Sequence, residues 1–580
     1  MTDIYGTIFP FSTNNQPMAE FTDDVATVMF RGRIFNHDKL QCVTGSNQAE
    51  MVYDIYTRHG ISGLGRIDGS FLITITTPEC TIIARDRHGT YSQIYYTATH
   101  YATGLHRLRD MANGLQPDRT ALATFLATGI IPTPHSAFTG VYKLPAGHAL
   151  IASKSGKIET IPLNDYGTAD IPSTEDEIIK LYGELHRKAI CRRIGDNPPV
   201  VGMLLSGGYD SGSNLAALRQ CYNGEVHTFS IGFRGDAWTE LPLARLMSQR
   251  FGTRHTEYEI TGDEILELPK ITNALGDPFV EGGLMVNYAA MRLACGDNLP
   301  VILGGDGSDQ YFGTAGRELA LHRLARRCCL MVWLQAYLIS LERQLVENSS
   351  SRFKLWFRLA SVCNIDDNLF GFKKANLWQI IRSRPEYAYT FKPGNPSWDS
   401  LYRQHRLEID IKKTIDQVIL FKASRMADMM GCNMAFPFTD LELRKFLDRL
   451  PVDMLCRCDS MTQAARGHLT AKYLLKACYK PLLPPEITSK KKQGGFAPMP
   501  LFFVDDARRH RLNDFILSSS VCTDLLRRKG VEKFLRHYEN CCHATSLWFW
   551  YRQNEAIRYF SLLTLATWWE QYVNNKEVSY

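Results

Sequence analysis

One short stretch, Ser206-Gly-Gly-Tyr-Asp-Ser-Gly212, constrains the fold more than any other part of the chain. It follows the apolar run Val200–Leu205, which is typical of a buried strand, and it precedes a helical pattern over Ser211–Gln220. Two glycines at such a turn let backbone N–H groups approach an anion, and the helix N-terminus adds a positive dipole end. The stretch therefore predicts a phosphate-binding loop beside a parallel sheet.

The candidate nucleotide contacts in this loop are backbone amides and polar side chains, and they belong to Leu205, Ser206, Gly207, Gly208, Asp210 and Ser211. A carboxylate at Asp210 would repel bare phosphate, so its natural role is to hold a magnesium ion that bridges phosphates. The simpler interpretation is a strand-to-helix turn in which Asp210 and Ser211 only cap the helix. The loop also lacks the Gly-Lys-Ser/Thr ending of a Walker A sequence.

Beyond this loop the chain alternates strands and helices. The strand patterns cover His227–Phe233, His255–Ile260 and Pro300–Gly304, and a helical pattern covers Leu241–Arg250. Such alternation predicts an α/β fold, with a parallel sheet covered by helices. Neighbouring parallel strands end at one rim of the sheet, so Asp309, after the last of these strands, can converge with Asp210 on one magnesium ion. Taken alone, Asp309 could equally be a helix N-cap.

The first part of the chain has a different pattern. Short alternating runs predict strands at Ala26–Phe30, Gly69–Thr76, Thr81–Ala84 and Gln93–Tyr96, with a closing hairpin over Gly140–Ser153. A chain of 580 residues is too long for one core, so we expect two domains, 1–160 and 175–580, joined by a polar linker. A basic, aromatic-rich segment at about 316–420 predicts a helical insertion in the second domain.

Composition and targeting signals narrow the function classes. The net charge of +6 is small for this length and does not indicate nucleic-acid binding. Fifteen cysteines lack zinc-ligand spacing, so we expect reduced thiols. No signal-peptide pattern is seen, and the most apolar helical stretch, 328–341, is shorter than the ~20 residues that a membrane span needs. We therefore expect a cytoplasmic protein with no nucleic-acid or membrane partner.

The glycine loop resembles the pyrophosphate loop of ATP pyrophosphatases, and later segments resemble asparagine synthetases in particular. These segments are His227–Phe233, Gly276–Phe279, Gly304–Gly313, Lys472–Lys476 and Lys490–Phe496. The resemblance implies an enzyme that uses ATP and Mg²⁺ to adenylate a carboxylate, releases pyrophosphate and forms an amide. It also implies that the strand of Ile231 holds adenine, that Gly304 and Gly305 contact the nucleotide, and that Asp210 and Asp309 bind the metal.

Two further residues are implied to be catalytic. Lys492 occupies the position of the family's essential lysine, although Lys490 and Lys491 remain competitors. Asp306 stands where asparagine synthetases carry Glu and β-lactam synthetases carry Tyr, so it could serve as the base for the amine. The partner of that Tyr in β-lactam synthetases would align near Phe421, which cannot accept a proton.

The front half resembles class II glutamine amidotransferase domains, of the Ntn type, through Arg85–Gly89, Gly69–Phe71 and Lys143–His148. The resemblance implies a β-sandwich, but three functions of an active domain are lost. The N-terminal cysteine nucleophile is replaced by Thr2, and Arg31 replaces the Asn that binds the oxyanion. Asn47 or Gln48 stands near the expected glutamine-binding Asp. We therefore expect a structural domain that supplies no ammonia.

Without ammonia, the nucleophile would be an amine of the substrate. Members of the superfamily that lost the cysteine include β-lactam synthetases and lasso peptide cyclases, which close rings. We expect a lasso-cyclase-like enzyme acting on a peptide, with a leader peptidase and a leader-binding protein as partners. The alternatives are an ammonia-dependent asparagine synthetase, a small-molecule β-lactam-type synthetase, and a nucleotide-binding scaffold without activity.

Overall fold

The computed structural model describes residues 3–14, 16–40, 47–112, 114–164, 167–196, 198–234, 239–313, 315–326, 371–372, 374–387, 391, 394, 397–489, 497–544 and 549–580. The predicted insertion at about 316–420 falls partly outside these ranges. Within the described ranges, no helix combines the length and the apolar character that crossing a membrane requires.

The front half contains two antiparallel sheets. Their strands are β1 (Tyr5–Thr7), β2 (Ala19–Thr22), β3 (Thr27–Ile34), β4 (Gly69–Thr76), β5 (Cys80–Arg85), β6 (Tyr95–Tyr96), β7 (His100–Ala102), β8 (Tyr142–Lys143), β9 (His148–Ser153) and β10 (Ile158–Pro162). One sheet has the order β10-β9-β5-β4-β3-β2 and the other β1-β7-β6-β8. Leu72 and Ile83 of the first sheet pack against Tyr96 and Tyr101 of the second, so the sheets form the predicted sandwich.

The closing hairpin predicted over Gly140–Ser153 is wrong. The segment does contain two strands, β8 and β9, but β8 pairs with β6 whereas β9 pairs with β5 and β10. Between them the chain turns at Gly147, whose φ is 63°, and passes from one sheet to the other. A turn signal between two apolar runs therefore marks a change of sheet here.

The second half is built on a parallel sheet. Its strands are β11 (Val200–Leu204), β12 (Glu225–Phe233), β13 (Arg254–Ile260), β14 (Ile302–Leu303) and β15 (Met434–Ala435), in the order β13-β12-β11-β14-β15. The register places Met203 opposite both Thr228 and Leu303. Strand order reverses between β11 and β14, the position at which open α/β sheets usually bind ligands. A separate pair, β16 (Cys456–Arg457) and β17 (Thr470–Ala471), is antiparallel.

Helices surround both sheet systems. The first ten are α1 (Gln48–His59), α2 (Leu105–Met111), α3 (Arg119–Thr128), α4 (Glu175–Ile194), α5 (Tyr209–Cys221), α6 (Leu241–Phe251), α7 (Leu268–Leu275), α8 (Leu284–Cys295), α9 (Ser308–Phe312) and α10 (Gly316–Arg326). Helix α4 begins with a capping box in which Thr174 and Glu177 satisfy each other's backbone N–H groups.

The later α-helices span Lys374–Ile380, Trp398–His405, Leu420–Met430, Leu441–Arg449, Val452–Leu455, Met461–Arg466, Tyr473–Tyr479, Pro485–Thr488, Asp506–Ser518, Val521–Asp524, Arg528–Cys542 and Phe549–Trp568. Short 3₁₀ turns span His37–Lys39, Ile61–Arg66, Asp263–Glu267, Pro437–Thr439 and Met499–Phe502, and π-helices span Arg406–Ile419 and Trp569–Val573.

The two halves share a hydrophobic core. Helix α3 of the front half contributes Leu122 and Phe125 to the same buried cluster as Phe560 and Leu563 of the helix Phe549–Trp568. That helix continues the contact at Trp568, whose indole N–H donates to the Gly276 carbonyl over 2.8 Å. The front half is thus packed firmly onto the rest of the chain.

One cysteine pair departs from the expectation of reduced thiols. Cys295 at the end of α8 and Cys432 are joined as a disulfide, and their Cα atoms are 5.6 Å apart. This separation lies within the range usual for disulfides. The sequence carries no sign of the pair, because 137 residues separate its members.

Candidate active site

The turn that leaves β11 is held closed by its own serines. Ser211 Oγ accepts a hydrogen bond from the Ser206 amide over 3.0 Å and lies 3.0 Å from the Ser206 carbonyl oxygen. A Cβ at Gly207 would lie 2.7 Å from the Cβ of Leu243, which explains the need for glycine there. Helix α5 starts directly behind the turn, so its N-terminal N–H groups and the loop face the same space.

Asp210 and Asp309, the two predicted metal ligands, face a common point. Asp210 lies in the first turn of α5 and Asp309 in the first turn of α9. The ammonium of Lys472 lies 2.6 Å from both oxygens of Asp210 and 2.7 Å from Oδ1 of Asp309. Ser308 Oγ also donates to Asp210 over 2.8 Å. The carboxylates meet because β11 and β14, which precede them, are adjacent parallel strands.

Sequence reasoning assigned no role to Lys472. It is 7% exposed and has a left-handed backbone, with φ 55°. Burial disfavours its ammonium, but Asp210 and Asp309 outweigh that effect and raise the pKa of Lys472. The available signal was its place in Lys472–Lys476, a segment that resembles asparagine synthetases without revealing what the lysine contacts.

The two carboxylates suit a phosphate-bound magnesium ion. Mg²⁺ in such sites takes one or two protein carboxylates together with phosphate oxygens and water. The Asp210–Asp309 pair already holds a cation, the Lys472 ammonium, at hydrogen-bond distance. Across the described ranges, no cluster of three or more His, Cys, Asp or Glu side chains could hold a metal by itself. The two carboxylates therefore fit a metal ion whose remaining ligands come from a nucleotide's phosphates and from water.

Asp306 follows β14 and is half-buried near a second buried ion pair. Lys422 and Glu281 form this salt bridge, and each side chain is 5% exposed. Burial raises the pKa of Asp306 to about 6; Lys422 opposes the shift, whereas Glu281, Asp210 and Asp309 add to it. A carboxyl group with such a pKa can exchange a proton near neutral pH. Sequence reasoning missed Glu281 and Lys422, which are 141 residues apart.

The remaining predicted nucleotide contacts lie along the same edge of the sheet. Ile231 is on β12, the neighbour of β11, and is half-buried. Gly304 and Gly305 follow β14, and a Cβ at Gly305 would lie 3.6 Å from the Ser211 amide nitrogen. The two glycine turns are thus in close contact.

The predicted catalytic Lys492 lies outside the described residues, together with its competitors Lys490 and Lys491. Thr2 of the front half lies outside them as well. Both assignments stay predictions.

A chamber of about 330 Å³ lies between the two halves. The front half lines it with Arg85, His88, Lys143 and Ala146, and the second half with Asp277, Phe279, Asp416 and Phe421. The rings of Phe279 and Phe421 are 5.5 Å apart at its wall. Since Phe421 directly precedes Lys422, the chamber adjoins the backbone that carries the Glu281–Lys422 pair.

Buried charges also cross the junction. Arg193 of α4 donates to Asp68 of the front half over 2.8 Å and to Asp440 over 3.0 Å. His88, in the predicted amidotransferase motif, lies 2.7 Å from Asp416 of the second half. Paired charges of this kind fix one domain against another, because separating them would leave each group buried and unpaired.

The residues at the expected glutamine-binding positions of the front half are buried between its sheets or placed at the start of a helix. Arg31 on β3 is 2% exposed and lies opposite Leu72, which packs between the two sheets. Burial lowers the pKa of the Arg31 guanidinium. Asn47 caps α1 by accepting a hydrogen bond from the Glu50 amide over 2.9 Å, and Gln48 is the first residue of that helix.

Comparisons with known proteins identify the families that the two halves resemble. The asparagine synthase family model matches residues 182–570, and the glutamine amidotransferase domain model matches residues 7–163. Asparagine synthetase [glutamine-hydrolyzing] 1 of Bacillus subtilis is 23% identical over 523 residues, which cover 85% of this chain and 79% of that protein. Carboxyethyl-arginine beta-lactam-synthase of Streptomyces clavuligerus is 30% identical over 303 residues, which cover 50% of this chain and 56% of that protein.

Proposed function

Because this chain belongs to the asparagine synthase family, a family of ATP-dependent carbon–nitrogen ligases, we propose that it closes an amide ring within a peptide. The reaction would resemble that of a lasso peptide cyclase: a substrate carboxylate is adenylated, and an amine of the same molecule then displaces AMP. The observation that supports this proposal is the buried guanidinium of Arg31, which stands where the resemblance to amidotransferases implies an oxyanion-binding Asn. A domain that cannot hydrolyse glutamine leaves the substrate to provide its own amine.

For adenylation, the residues of the glycine loop bind and orient ATP. The N–H groups of the loop and of α5 donate hydrogen bonds to phosphate oxygens. Asp210 and Asp309 would hold Mg²⁺, which would neutralise charge on the departing pyrophosphate. Lys472 adds a buried positive charge beside both carboxylates. The substrate carboxylate then attacks the α-phosphorus, and pyrophosphate leaves along the loop.

For amide formation, Asp306 is the proposed base. Its pKa of about 6 leaves most of it ionised at neutral pH, so it can take a proton from the substrate's ammonium group before the neutral amine attacks, or from the amine as it attacks. Glu281 and Lys422 keep the adjoining charge balanced, since each neutralises the other. Lys492 is proposed to stabilise the oxyanion of the tetrahedral intermediate, a task suited to a mobile cation.

A second candidate is an ammonia-dependent synthetase of the asparagine type. The chamber between the halves favours it, because a space of about 330 Å³ next to Phe421 could admit ammonium from solution. The case for a β-lactam-type synthetase is weaker, because Phe421 offers no proton acceptor at the position of that enzyme's second dyad residue. A scaffold without activity would give the converging carboxylates no purpose.

The proposal is tested by offering the purified chain ATP, Mg²⁺ and a precursor peptide with a free N-terminal amine and an internal Asp or Glu. Peptide cyclisation predicts AMP, pyrophosphate and a product lighter than the precursor by one water. A parallel reaction with aspartate and ammonium tests the second candidate, and one with glutamine tests the front half. Amide formation with ammonium but not with the peptide would reject peptide cyclisation. Glutamate release from glutamine would reject a front half that supplies no ammonia.

The proposed partners follow from the substrate. A peptide of this class would be presented by a leader-binding protein and trimmed by a leader peptidase, which exposes the reacting amine. Adding such proteins should raise the rate of ring closure without changing the ATP requirement.

A further inference from the structure

His88 of the front half bridges two segments of the second half. Its Nδ1 lies 2.7 Å from Oδ1 of Asp416, and its Nε2 lies 2.6 Å from the hydroxyl oxygen of Tyr311. Both His88 and Tyr311 are buried. Asp416 belongs to the π-helix that runs into the helix of Lys422, and Tyr311 belongs to α9. One imidazole ring of the front half therefore contacts both segments that lead to the candidate active site.

The two hydrogen bonds of this ring have a definite direction. The Asp416 carboxylate can only accept, so Nδ1 of His88 carries the hydrogen of that bond. In the neutral imidazole, Nε2 then accepts the hydrogen of the Tyr311 hydroxyl. The contact with Asp416 thus sets the ring in the form that can bind the phenol.

The turn that presents His88 is fixed inside the front half. It follows β5, and the Asp86 carboxylate accepts hydrogen bonds from the amides of His88, over 3.2 Å, and of Tyr91, over 3.0 Å. The next residue, Gly89, has φ 61°, a conformation that glycine adopts without strain. The position of the ring is therefore set by the front half's own fold.

Tyr311 and Asp309 leave α9 on opposite sides. They are two residues apart on a helix of five residues, and each residue turns a helix by about 100°. Asp309 faces the ammonium of Lys472, and Tyr311 faces His88. A helix this short has little stability of its own, so its orientation depends on such contacts.

The ring and the backbone of Tyr311 are held by the second half. The guanidinium carbon of Arg444 lies 5.3 Å from the centroid of the ring, and Arg406 donates to the Tyr311 carbonyl. The hydroxyl, in contrast, reaches the front half at His88. Removing the hydroxyl alone therefore tests what the front half contributes to the orientation of α9.

We propose that His88 is a positioning residue for the nucleotide site: through Tyr311 it holds α9 in the orientation that turns Asp309 toward the magnesium of bound ATP. This inference rests on the role proposed above for Asp309, and it holds whether the amine comes from a peptide or from ammonium. It gives the front half a task that needs no glutamine chemistry. A side chain that orients a metal ligand through another group typically changes metal affinity by about tenfold to a hundredfold.

The test is the binding of ATP to the purified full-length chain at limiting and at saturating Mg²⁺, measured by isothermal titration calorimetry. Tyr311→Phe keeps the ring and loses the hydroxyl, so the Kd for ATP at limiting Mg²⁺ should rise by about tenfold. At saturating Mg²⁺ the Kd should return to within about twofold of the unmodified value, because mass action fills the weakened metal site. An unchanged Kd in Tyr311→Phe at limiting Mg²⁺ would overturn the inference.

Two substitutions at His88 separate its two hydrogen bonds. The side-chain amide of a glutamine can reach the place of Nε2, and that of an asparagine the place of Nδ1. His88→Gln therefore keeps a partner for Tyr311 and should bind ATP nearly as the unmodified chain does. His88→Asn keeps a partner for Asp416 and should bind ATP as weakly as Tyr311→Phe. A role limited to fixing one half against the other predicts equal losses in the two variants, which would contradict the proposal.

His106→Asn is the matched control, because His106 pairs with Asp3 over 2.9 Å within the front half. It should leave ATP binding unchanged, and a loss equal to that of His88→Asn would count against the proposal. The calorimetric stoichiometry and thermal midpoint of each variant report on its fold, since unfolding lowers the binding fraction at every Mg²⁺ concentration. An unmodified chain that binds no ATP would reject the nucleotide site and this inference with it. Failure of peptide cyclisation, with the loss in Tyr311→Phe observed, would support the inference and reject only the proposed substrate.

Discussion

In the second half of the chain, the loops after β11 and β14 bring Asp210 and Asp309 to one ammonium. In the front half, the strands of the sandwich are equally regular, and Arg31, at the position where the resemblance to amidotransferases implies an oxyanion-binding Asn, is buried. Under the proposed function, in which the front half supplies no ammonia, the comparison teaches that a domain can keep its packing after losing its chemistry. Packing depends on many apolar contacts, whereas a site depends on a few charges whose replacement the sheets tolerate.

The largest expected effect comes from removing one of the converging carboxylates. Asp210→Asn keeps the side-chain shape but removes the charge that faces Lys472 and the proposed metal, so AMP formation should fall by about 10³-fold. Asp459→Asn, which changes an exposed aspartate, is the matched control and should keep full activity. Pyrophosphate release in the presence of ATP and substrate measures the activity of both variants. Turnover retained by Asp210→Asn would mean that the convergence has no catalytic purpose.

The next effect concerns Asp306 and its pH dependence. Asp306→Asn should lower amide formation by about 10²-fold or more, because the proposed base is lost. With a pKa of about 6, the unmodified residue is ionised above that pH, so the rate should fall as the pH drops through 6. Lys422→Met removes a cation that favours the carboxylate and should move this fall to higher pH. Glu281→Gln removes a like charge and should move it to lower pH.

Opposite shifts in these two variants would separate an electrostatic role from a structural one. A general loss of stability would lower the rate at every pH and would not move the midpoint in two directions. Equal shifts, or none, in the profile of kcat/KM against pH would remove Asp306 from the mechanism.

A smaller effect, on stability, tests whether the front half is a fixed structural part. Arg193→Met leaves Asp68 and Asp440 buried beside an apolar side chain, so the free energy of unfolding should fall by about 3 kcal/mol. Arg58→Met removes an exposed ion pair in which Arg58 Nη2 lies 2.7 Å from Asp54 Oδ1. This change should lower the free energy of unfolding by less than about 1 kcal/mol. Urea titration compares the variants. Similar losses in both would show that the buried network does not secure the junction.

Sequence reasoning worked where the physical signal is local. Strand β4 lies at Gly69–Thr76 as predicted, because its alternating apolar residues have a period that a single strand imposes. The meeting of Asp210 and Asp309 could be expected from adjacent strand ends. Lys472 could not, since its contact with Asp210 spans 262 residues and depends on a left-handed backbone that no pattern marks. The pairing of β8 with β6, instead of with β9, was missed because it too joins residues that are distant in the sequence.

The smallest expected effect addresses the chamber between the halves. Ala146→Phe places a ring in the space of about 330 Å³ that adjoins Phe421. If the reacting amine belongs to the peptide, ring closure should change by no more than about twofold, because the chamber carries no reactant. If ammonium reaches the site through this space, amide formation with ammonium should fall far more steeply. Steady-state rates with the two nucleophiles, measured on one preparation whose thermal midpoint is unchanged, decide between a front half that only supports the fold and one that still guides a reactant.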